Sequence, residues 1–374
     1  MLNGLDIASS SGFSKYLGAR AAVVANHSSI SQSGRTIADL IHEHDDITLE
    51  AIFSPEHGFR GVADEDVADS IDPISGAPVY SLFGTRTKPS AEQLRGLTHL
   101  FFDIQDIGSR FYTYISTLGN VMDACAEFGV HLVVLDRPNP ITGTKVEGPM
   151  PDISQLNFVG YHEIPIRHGL TLGEMALLFQ KERFNSCELS VELCQGWTRA
   201  MWFDELGQYW VNPSPNMRSL MSAMLYPGIA IMEFTNVSVG RGTDQPFQRV
   251  GAPYIDGANL ADVLRTDALP GLRFIPVRFT PSGSKYVNDQ CGGIDILVID
   301  RDAVKPVEAG WSIATRIQQL CPNEFQPEGL NKLLLNTKYF EAFTNQQNSG
   351  TLFSEWAGSC DEFRRRVQPT LLYP

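Results

Sequence analysis

Residues 49–61 have the sequence LEAIFSPEHGFRG, and this stretch decides how the chain is interpreted. The apolar run LEAIF predicts a buried strand that ends before Pro55. Glu56 and His57 follow directly, and Arg60 lies just behind them. Ligands of open α/β sheets bind beyond the carboxyl ends of strands. A carboxylate, an imidazole and a guanidinium at such an end indicate acid–base chemistry on a polar substrate. The alternative is a solvated loop with a local Glu–Arg pair.

Apolar runs alternate with helical periodicities on both sides of this strand. Predicted strands cover residues 21–25, 78–83, 99–104, 131–135 and 189–193, and predicted helices cover 36–44, 91–97, 115–128 and 171–184. The last helix opens with the capping box Thr171-x-x-Glu174. Such alternation is typical of a mostly parallel sheet with helices on both faces. We therefore predict an α/β, Rossmann-like domain over residues 1–220.

The texture changes in the second half of the chain. A stretch rich in Gly, Thr and Asn runs from about Tyr226 to Tyr254 and predicts irregular structure. Beyond it, helices are predicted at 258–264, 309–320, 330–343 and 352–367, and strands at 273–279 and 294–299. Residues 221–374 are thus predicted to form a smaller α+β domain.

Composition excludes several classes of function. The 374 residues are 43% hydrophobic and 19% charged, so the chain can bury large cores. Its net charge of −14, from 29 basic and 43 acidic residues, argues against nucleic acid or an anionic membrane as main partner. No apolar run approaches the length of a membrane span. The N-terminus MLNGLDIASSSGF shows no export signal. We expect a cytoplasmic protein as given, although a trimmed periplasmic or secreted protein would look the same. The sequence leaves a homodimer open.

The usual cofactor motifs are absent from the sequence. The six cysteines form no C-x-x-C pair, and no G-x-G-x-x-G or P-loop pattern occurs. His162-Glu163 is followed by Ile166 where a zinc-binding H-E-x-x-H helix needs histidine. We therefore expect no metal and no organic cofactor. Ser282-x-x-Lys285 matches a serine acyl-transfer motif, but its companion motifs S-D-N and K-T-G do not occur.

Polar side chains collect at the ends of four predicted strands. They are Asn26, then Glu56 and His57, then Asp103, Gln105 and Asp106, and finally Asp136, Arg137 and Asn139. In a parallel sheet these ends would line one crevice. Each position alone is weak, because strand ends are often polar.

Further candidates lie in loops between the predicted elements. Arg110 with Tyr112 and Tyr114 could supply a cation and aromatic walls for a sugar, or a helix start packed on the core. Additional polar candidates are Arg167, His168, Asn216, Glu233, Asn236 and Arg241. The pair Arg167-His168 is of a kind that is more often structural, and the Gly-Arg-Gly around Arg241 is either a ligand-binding loop or a surface loop.

Several of these motifs together resemble one known family. They are SPEHGFRG at 54–61, FDIQDIGSRFYTYIST at 102–117, LDRPNPITG at 135–143, VEGP at 146–149, IRHGLTLGE at 166–174, PSPNM at 213–217, NVSVGRGT at 236–243 and CGG at 291–293. The chain resembles the exo-β-N-acetylmuramidases of glycoside hydrolase family 171. Members tend to read N-[PQ]-[ST]-G after the first strand, whereas this chain has Asn26-His27-Ser28-Ser29. Members are also commonly exported.

The resemblance implies a Rossmann-like catalytic domain, a C-terminal domain and an active site in the cleft between them. It also implies release of N-acetylmuramic acid from the non-reducing end of peptidoglycan fragments. The family's proposed catalytic carboxylate, the Glu of its P-E-H-G motif, corresponds to Glu56. On this view the substrate is a muramic-acid-containing saccharide.

Glycoside cleavage requires a proton for the leaving oxygen and stabilisation of a positive centre. We expect Glu56 to be the acid, with His57 beside it and Asp103 or Asp106 as a nearby charge or second carboxylate. The lactyl carboxylate needs a cation, and Arg241, Arg110 and Arg60 are candidates in that order. Retaining, inverting and substrate-assisted routes all stay open. The main alternative is a non-catalytic muropeptide- or sugar-binding protein that uses the same cleft.

Overall fold

The computed structural model describes residues 1–56, 58–59 and 69–374, and its first half is built on a seven-stranded sheet. The strands are β1 (Arg20–Ala25), β2 (Thr48–Ser54), β3 (Ser70–Ile71), β4 (Pro78–Ser81), β5 (His99–Asp103), β6 (His131–Leu135) and β7 (Leu189–Glu192). Their order is β3-β4-β2-β1-β5-β6-β7. β3 runs antiparallel to β4, and the other neighbours are parallel. The predicted Rossmann-like fold is confirmed.

The sheet is apolar on both faces, which explains its unbroken hydrophobic runs. Val23 and Val24 point to opposite faces, and both are fully buried. Val24 belongs to one hydrophobic cluster, and Val23 packs with Ile52 in another. A parallel sheet is covered by helices on both faces, and its strands are therefore apolar throughout. This is why the alternation of apolar strands and helices predicted the sheet correctly.

Helices cover the two faces of this sheet. They are α1 (Gly4–Ser10), α2 (Ile37–His42), α3 (Ala91–Leu94), α4 (Tyr114–Phe128) and α5 (Leu172–Glu182). α5 begins at the predicted capping box, where Thr171 and Glu174 each accept a hydrogen bond from the other's backbone N–H. α1 was not predicted. None of the helices that the structure describes is both long and apolar enough to cross a bilayer.

The second half combines a three-stranded antiparallel sheet with six helices in the described chain. Its strands are β8 (Arg249–Ala252), β9 (Leu272–Phe279) and β10 (Cys291–Val298), in the order β8-β10-β9. Its helices are α6 (Leu220–Ile229), α7 (Gly257–Thr266), α8 (Pro306–Leu320), α9 (Asn331–Leu334), α10 (Thr337–Thr344) and α11 (Ser349–Val367). The predicted smaller α+β unit is therefore present.

Two predictions for the second half were wrong. The helix expected at 330–343 is broken at Leu335, whose left-handed φ of 52° ends α9. Asn336 then caps α10 by accepting from the N–H of Tyr339. The stretch expected to be irregular from Tyr226 begins inside α6, which tolerates Pro227. Periodicity alone had merged α9 and α10 into one helix, whereas the N-cap Asn336 starts a new one.

A close crossing fixes α6 against α8. A Cβ on Gly228 would lie 1.7 Å from the carbonyl oxygen of Pro306, and one on Gly310 would lie 2.1 Å from the carbonyl oxygen of Gly228. Both positions need glycine because the two backbones touch there. The contact matters for the site, because α6 carries Tyr226 into the cleft described below.

The C-terminus returns to the first half of the chain. The hydroxyl of Tyr373 donates to Asp136 Oδ2 at 2.6 Å and accepts from the N–H of Cys194 at 3.0 Å. Asp136 also accepts from Thr171 and from the N–H of Gly173. Burial raises the pKa of the Asp136 carboxyl to about 6, and these hydrogen bonds oppose that rise. Asp136, predicted to bind substrate, thus serves as an internal hydrogen-bond acceptor that ties the C-terminus to the first half of the chain.

Candidate active site

A cavity of about 200 Å³ lies between the two halves of the chain. The first half contributes residues that follow β2 and β5 together with the 214–217 loop, and the second half contributes residues from α6, the 233–247 loop and α9. Its lining residues are Glu56, Phe111, Tyr112, Thr113, Tyr114, Val159, Ser214, Asn216, Met217, Tyr226, Glu233, Phe234, Arg241, Phe247 and Leu333. Six predicted candidates therefore share one cavity at the edge of the sheet.

Glu56 is held at the wall of this cavity by Thr113. It is half-buried one residue beyond Pro55, and its Oε2 accepts a hydrogen bond of 2.6 Å from the Thr113 hydroxyl. Thr113 stands at the N-cap of α4, where a threonine side chain ordinarily accepts from the first turn. Here its side chain makes no capping bond. The hydroxyl is used instead to orient the carboxylate.

Aromatic rings form a second wall. The rings of Tyr112 and Tyr114 meet edge to face at 4.9 Å, and Tyr226 contacts Phe247 at 4.6 Å. The Tyr114 hydroxyl donates to the carbonyl of Pro213 and accepts from Asn26. Asn26 thus positions a lining residue without lining the cavity itself. These contacts hold the rings in place, so the wall that they form is rigid.

The second half supplies a carboxylate and a cation. Arg241 Nη1 forms an ion pair with Glu233 Oε1, and the side chains are 33% and 18% exposed. Burial raises the pKa of the Tyr226 hydroxyl well above its ordinary value, and the negative charges of Glu233 and Glu56 add to that rise. Both carboxylates therefore act on the same phenol, which stays neutral and can donate a hydrogen bond into the cavity.

Asp103 and Arg137 are not among the residues that line this cavity. Arg137 donates to both Asp103 oxygens, at 2.5 and 3.0 Å, and the aspartate is fully buried. Burial raises the pKa of the Asp103 carboxyl, and the guanidinium opposes this rise. The expectation that Asp103 works beside Glu56 conflicts with this position, because its oxygens are already satisfied by a bidentate partner.

Other predicted candidates hold the loops that follow β5 and β6. Asp106 Oδ2 accepts from the N–H of Gly108 and lies 3.6 Å from His168 Nε2. Gln105 donates to two backbone carbonyls, and Asn139 donates to a third. Arg167 pairs with Glu147 at 2.8 Å and is buried. None of the five candidates Asp106, Gln105, Asn139, Arg167 and His168 lines the cavity with Glu56.

Four further site candidates differ in where they lie. Asn236 donates to the carbonyl of Glu324 and accepts from the Tyr254 hydroxyl, so it is part of the framework of the second half. His57 and Arg60 lie outside the described residues. Asn216 lines the cavity, and its predicted contact with substrate stays a prediction.

Arg110, expected to face a sugar, instead joins the two halves. Its guanidinium is 1% exposed and donates to the carbonyls of Pro149 and Ile164 in the first half. It also donates to the carbonyls of Leu333 and Leu334 at the end of α9, at 2.7 and 2.8 Å. Leu333 lines the cavity, and so do the four residues after Arg110. The cation therefore positions two walls at once.

Sequence reasoning missed Thr113 and Tyr226. Thr113 lies inside the quoted motif SRFYTY, but nothing in the sequence shows that its hydroxyl turns away from the helix. Tyr226 precedes Pro227, and that proline obscured α6.

The Ser282 hydroxyl donates to the carbonyl of Gly242, and Lys285 donates to that of Glu233. Ser282 and Lys285 are not bonded to each other, so these contacts do not support the serine acyl-transfer alternative.

The described residues were also compared with the side-chain clusters that metal sites require. No cluster of three or more His, Cys, Asp or Glu side chains converges there in a way that would hold an ion. The six cysteines are free and buried.

Two family models match the chain. The model of the exo-β-N-acetylmuramidase NamZ N-terminal domain covers residues 21–221, and that of the C-terminal domain covers 224–373. Peptidoglycan β-N-acetylmuramidase NamZ of Bacillus subtilis (strain 168) is 41% identical over 361 residues, which are 95% of this chain and 87% of that protein.

Two solved structures share the fold over the whole chain. Both are DUF1343 family proteins from Bacteroides fragilis NCTC 9343. One superposes with a TM-score of 0.94 at 32% identity and covers 100% of this chain and 99% of its own. The other has a TM-score of 0.81 at 29% identity and covers 100% and 98%.

We expect Arg110→Lys to destabilise the protein by about 2–4 kcal/mol, since one ammonium cannot reach carbonyls on both sides and buried acceptors are left unpaired. Urea unfolding measures this loss. Arg95→Lys, at an exposed position, is the matched control and should unfold like the wild type. Equal stability of the two variants would show that Arg110 does not join the halves.

Proposed function

The chain belongs to the exo-β-N-acetylmuramidase family, and we propose that its interdomain cavity binds the terminal N-acetylmuramic acid of a peptidoglycan-derived saccharide, with Glu56 as general acid. The observation that carries this proposal is the bond from Thr113 to Glu56 at the wall of a cavity built by both halves. A non-catalytic sugar-binding role is not favoured, since the Bacillus relative is named as an enzyme.

Glu56 has the position that a proton donor requires. Glycoside cleavage passes through an oxocarbenium-like state, and the departing oxygen must gain a proton as its bond to the sugar breaks. Thr113 donates to one carboxyl oxygen, which leaves Oε1 as the oxygen that delivers the proton. A fixed rotamer matters because proton transfer needs heavy atoms within about 2.6–3.2 Å.

Glu233 is the second carboxylate of the cavity. Its ion pair with Arg241 fixes its orientation, and Lys285 donates to its backbone carbonyl. It takes the place that the sequence had suggested for Asp103 or Asp106. We assign it the stabilisation of positive charge at the sugar ring, with the neutral hydroxyl of Tyr226 donating to a substrate oxygen between the two carboxylates.

Arg241 is the cation that recognises muramic acid. A guanidinium has five N–H donors in a planar fork, so it can hold Glu233 and still bind the lactyl carboxylate of the sugar. Arg110 does not suit this role because it does not line the cavity and its two Nη groups bind four backbone carbonyls. Among the three cations expected from the sequence, we therefore choose Arg241 for this role.

Glu56→Gln should slow hydrolysis of a muramyl disaccharide by roughly 10²- to 10⁴-fold, the usual span for general acid catalysis. A nitrophenyl muramide should lose much less, because its leaving group needs little protonation. Steady-state kcat on both substrates is the measurement. Glu92→Gln, at an exposed position, is the control. Equal losses on both substrates would make Glu56 a nucleophile or a binding residue, and no loss would place the acid elsewhere.

Arg241→Ala should weaken product inhibition by N-acetylmuramic acid about 10- to 150-fold, the equivalent of one charge-assisted hydrogen bond worth about 1.5–3 kcal/mol. Inhibition by the lactyl methyl ester, which has no negative charge, should change little. Arg218→Ala, at an exposed arginine bonded to the Thr243 carbonyl, is the control. If both inhibitors weakened equally, Arg241 would be a structural residue.

A further inference from the structure

A second and larger cavity, of about 540 Å³, opens at the same edge of the sheet. We call it the switch-point cavity. Its lining residues are Asn3, Ser28, Ile30, Ser31, Gln32, Ser33, Gly34, Gln105, Arg137, Phe203, Gly207, Gln208, Tyr209, Trp210 and Val211. It shares no lining residue with the cavity that contains Glu56. Its volume lies within the range of about 300–1,000 Å³ that is common for small-ligand sites.

The topology of the sheet places this cavity where ligands are expected. β2 lies on one side of β1 and β5 on the other, so the connections after β1 and β5 diverge. Ser28 follows β1, Gln105 follows β5, and both line the cavity. Crevices at such a reversal of strand order are the usual binding sites of open α/β sheets.

One segment, residues 207–217, separates the two cavities. Residues 207–211 line the switch-point cavity, whereas Ser214, Asn216 and Met217 line the catalytic one. The segment is pinned at several points: the Tyr114 hydroxyl donates to the Pro213 carbonyl, and Trp210 Nε1 donates to the Met217 carbonyl at 3.1 Å. The wall between the cavities is therefore fixed from both sides.

Buried polar groups of the switch-point cavity keep unused hydrogen-bonding capacity. Arg137 is 6% exposed, and its Nε and Nη2 bind Asp103 and the Ile30 carbonyl. Its Nη1 makes no hydrogen bond within the described residues. The same holds for Gln105 Oε1, whose amide nitrogen donates to two carbonyls. A donor and an acceptor are thus left for a ligand at the base of the cavity.

The charge and the aromatic rim narrow the class of ligand. Asp103 compensates the charge of Arg137, and the described lining contains no carboxylate. Phe203 and Trp210 meet edge to face at 5.1 Å, so the Trp210 ring is fixed. Tyr209 stands at the rim with 91% of its surface exposed. Amides, hydroxyls and aromatic faces without net charge suit a molecule with many hydroxyls and apolar C–H faces.

We propose that the switch-point cavity is a second binding site, specific for an uncharged saccharide and separate from the catalytic cavity. Arg137 Nη1 donates to a sugar oxygen, Gln105 Oε1 accepts from a sugar hydroxyl, and Tyr209 covers one face of a ring. This site binds sugars that carry no lactyl carboxylate, whereas the catalytic cavity binds that carboxylate through Arg241.

The test is calorimetric titration of the full chain with N,N′-diacetylchitobiose, an uncharged disaccharide, in excess N-acetylmuramic acid to occupy the catalytic cavity. Ser33→Trp fills the cavity from an exposed position and should abolish binding. Tyr209→Ala should raise the Kd about 3- to 10-fold through loss of one ring contact. Ser354→Trp, on the exposed side of α11, is the matched control and should bind normally.

Hydrolysis of a nitrophenyl muramide by Ser33→Trp separates this proposal from the catalytic one. Unchanged hydrolysis with lost binding supports a separate saccharide site. Unchanged binding in Ser33→Trp would overturn the proposal. So would the absence of wild-type binding at about 10 mM sugar, where a site with a Kd near 1 mM is almost saturated.

Discussion

The site depends on the hydrogen bonds of one buried cation, Arg110, which has no carboxylate partner in the described chain. The guanidinium of Arg110 binds carbonyls of Pro149 and Ile164 on one side and of Leu333 and Leu334 on the other. Taking a charge out of water is costly, and burial lowers its pKa, so four oriented carbonyls must replace the lost solvation. Such an arrangement tolerates little movement between the halves. α9 ends at Leu335, so the carbonyls of Leu333 and Leu334 lie in its last turn, where they have no partner within the helix.

The carboxyl edge of the sheet is divided between support and recognition. Asp103, paired with Arg137, and Asp136, bonded to Tyr373 and Thr171, are buried at the edge and have their oxygens engaged there. They hold the loops that carry the recognising groups. The same edge has two cavities with different chemistry. One has a carboxylate from each half and a cation, and the other has an aromatic rim and one cation, Arg137, whose charge Asp103 compensates. An enzyme that removes a charged sugar from a saccharide that also contains uncharged sugars can use both kinds of site.

Much of the fold could be predicted, because burial on both faces leaves a mark on every strand. The apolar runs, the capping box at Thr171 and the stop at Gly129 are local signals, and the structure has all of them. The direction in which a polar side chain points from the end of a strand could not be predicted in this way. Asp103 ends β5 and Asp106 follows it, yet both turn inward toward partners more than thirty residues away in sequence. Thr113 was invisible because its role depends on Glu56, a residue on another element.

The central claim is that cleavage occurs at Glu56 in the cavity between the halves. The most direct measurement is a crystal structure of the Glu56→Gln variant with an uncleaved muramyl disaccharide. We predict that the glycosidic oxygen lies within about 3.2 Å of the substituted side chain, with the lactyl carboxylate on Arg241. A disaccharide bound with its glycosidic oxygen out of reach of position 56, or bound in the switch-point cavity alone, would contradict the account.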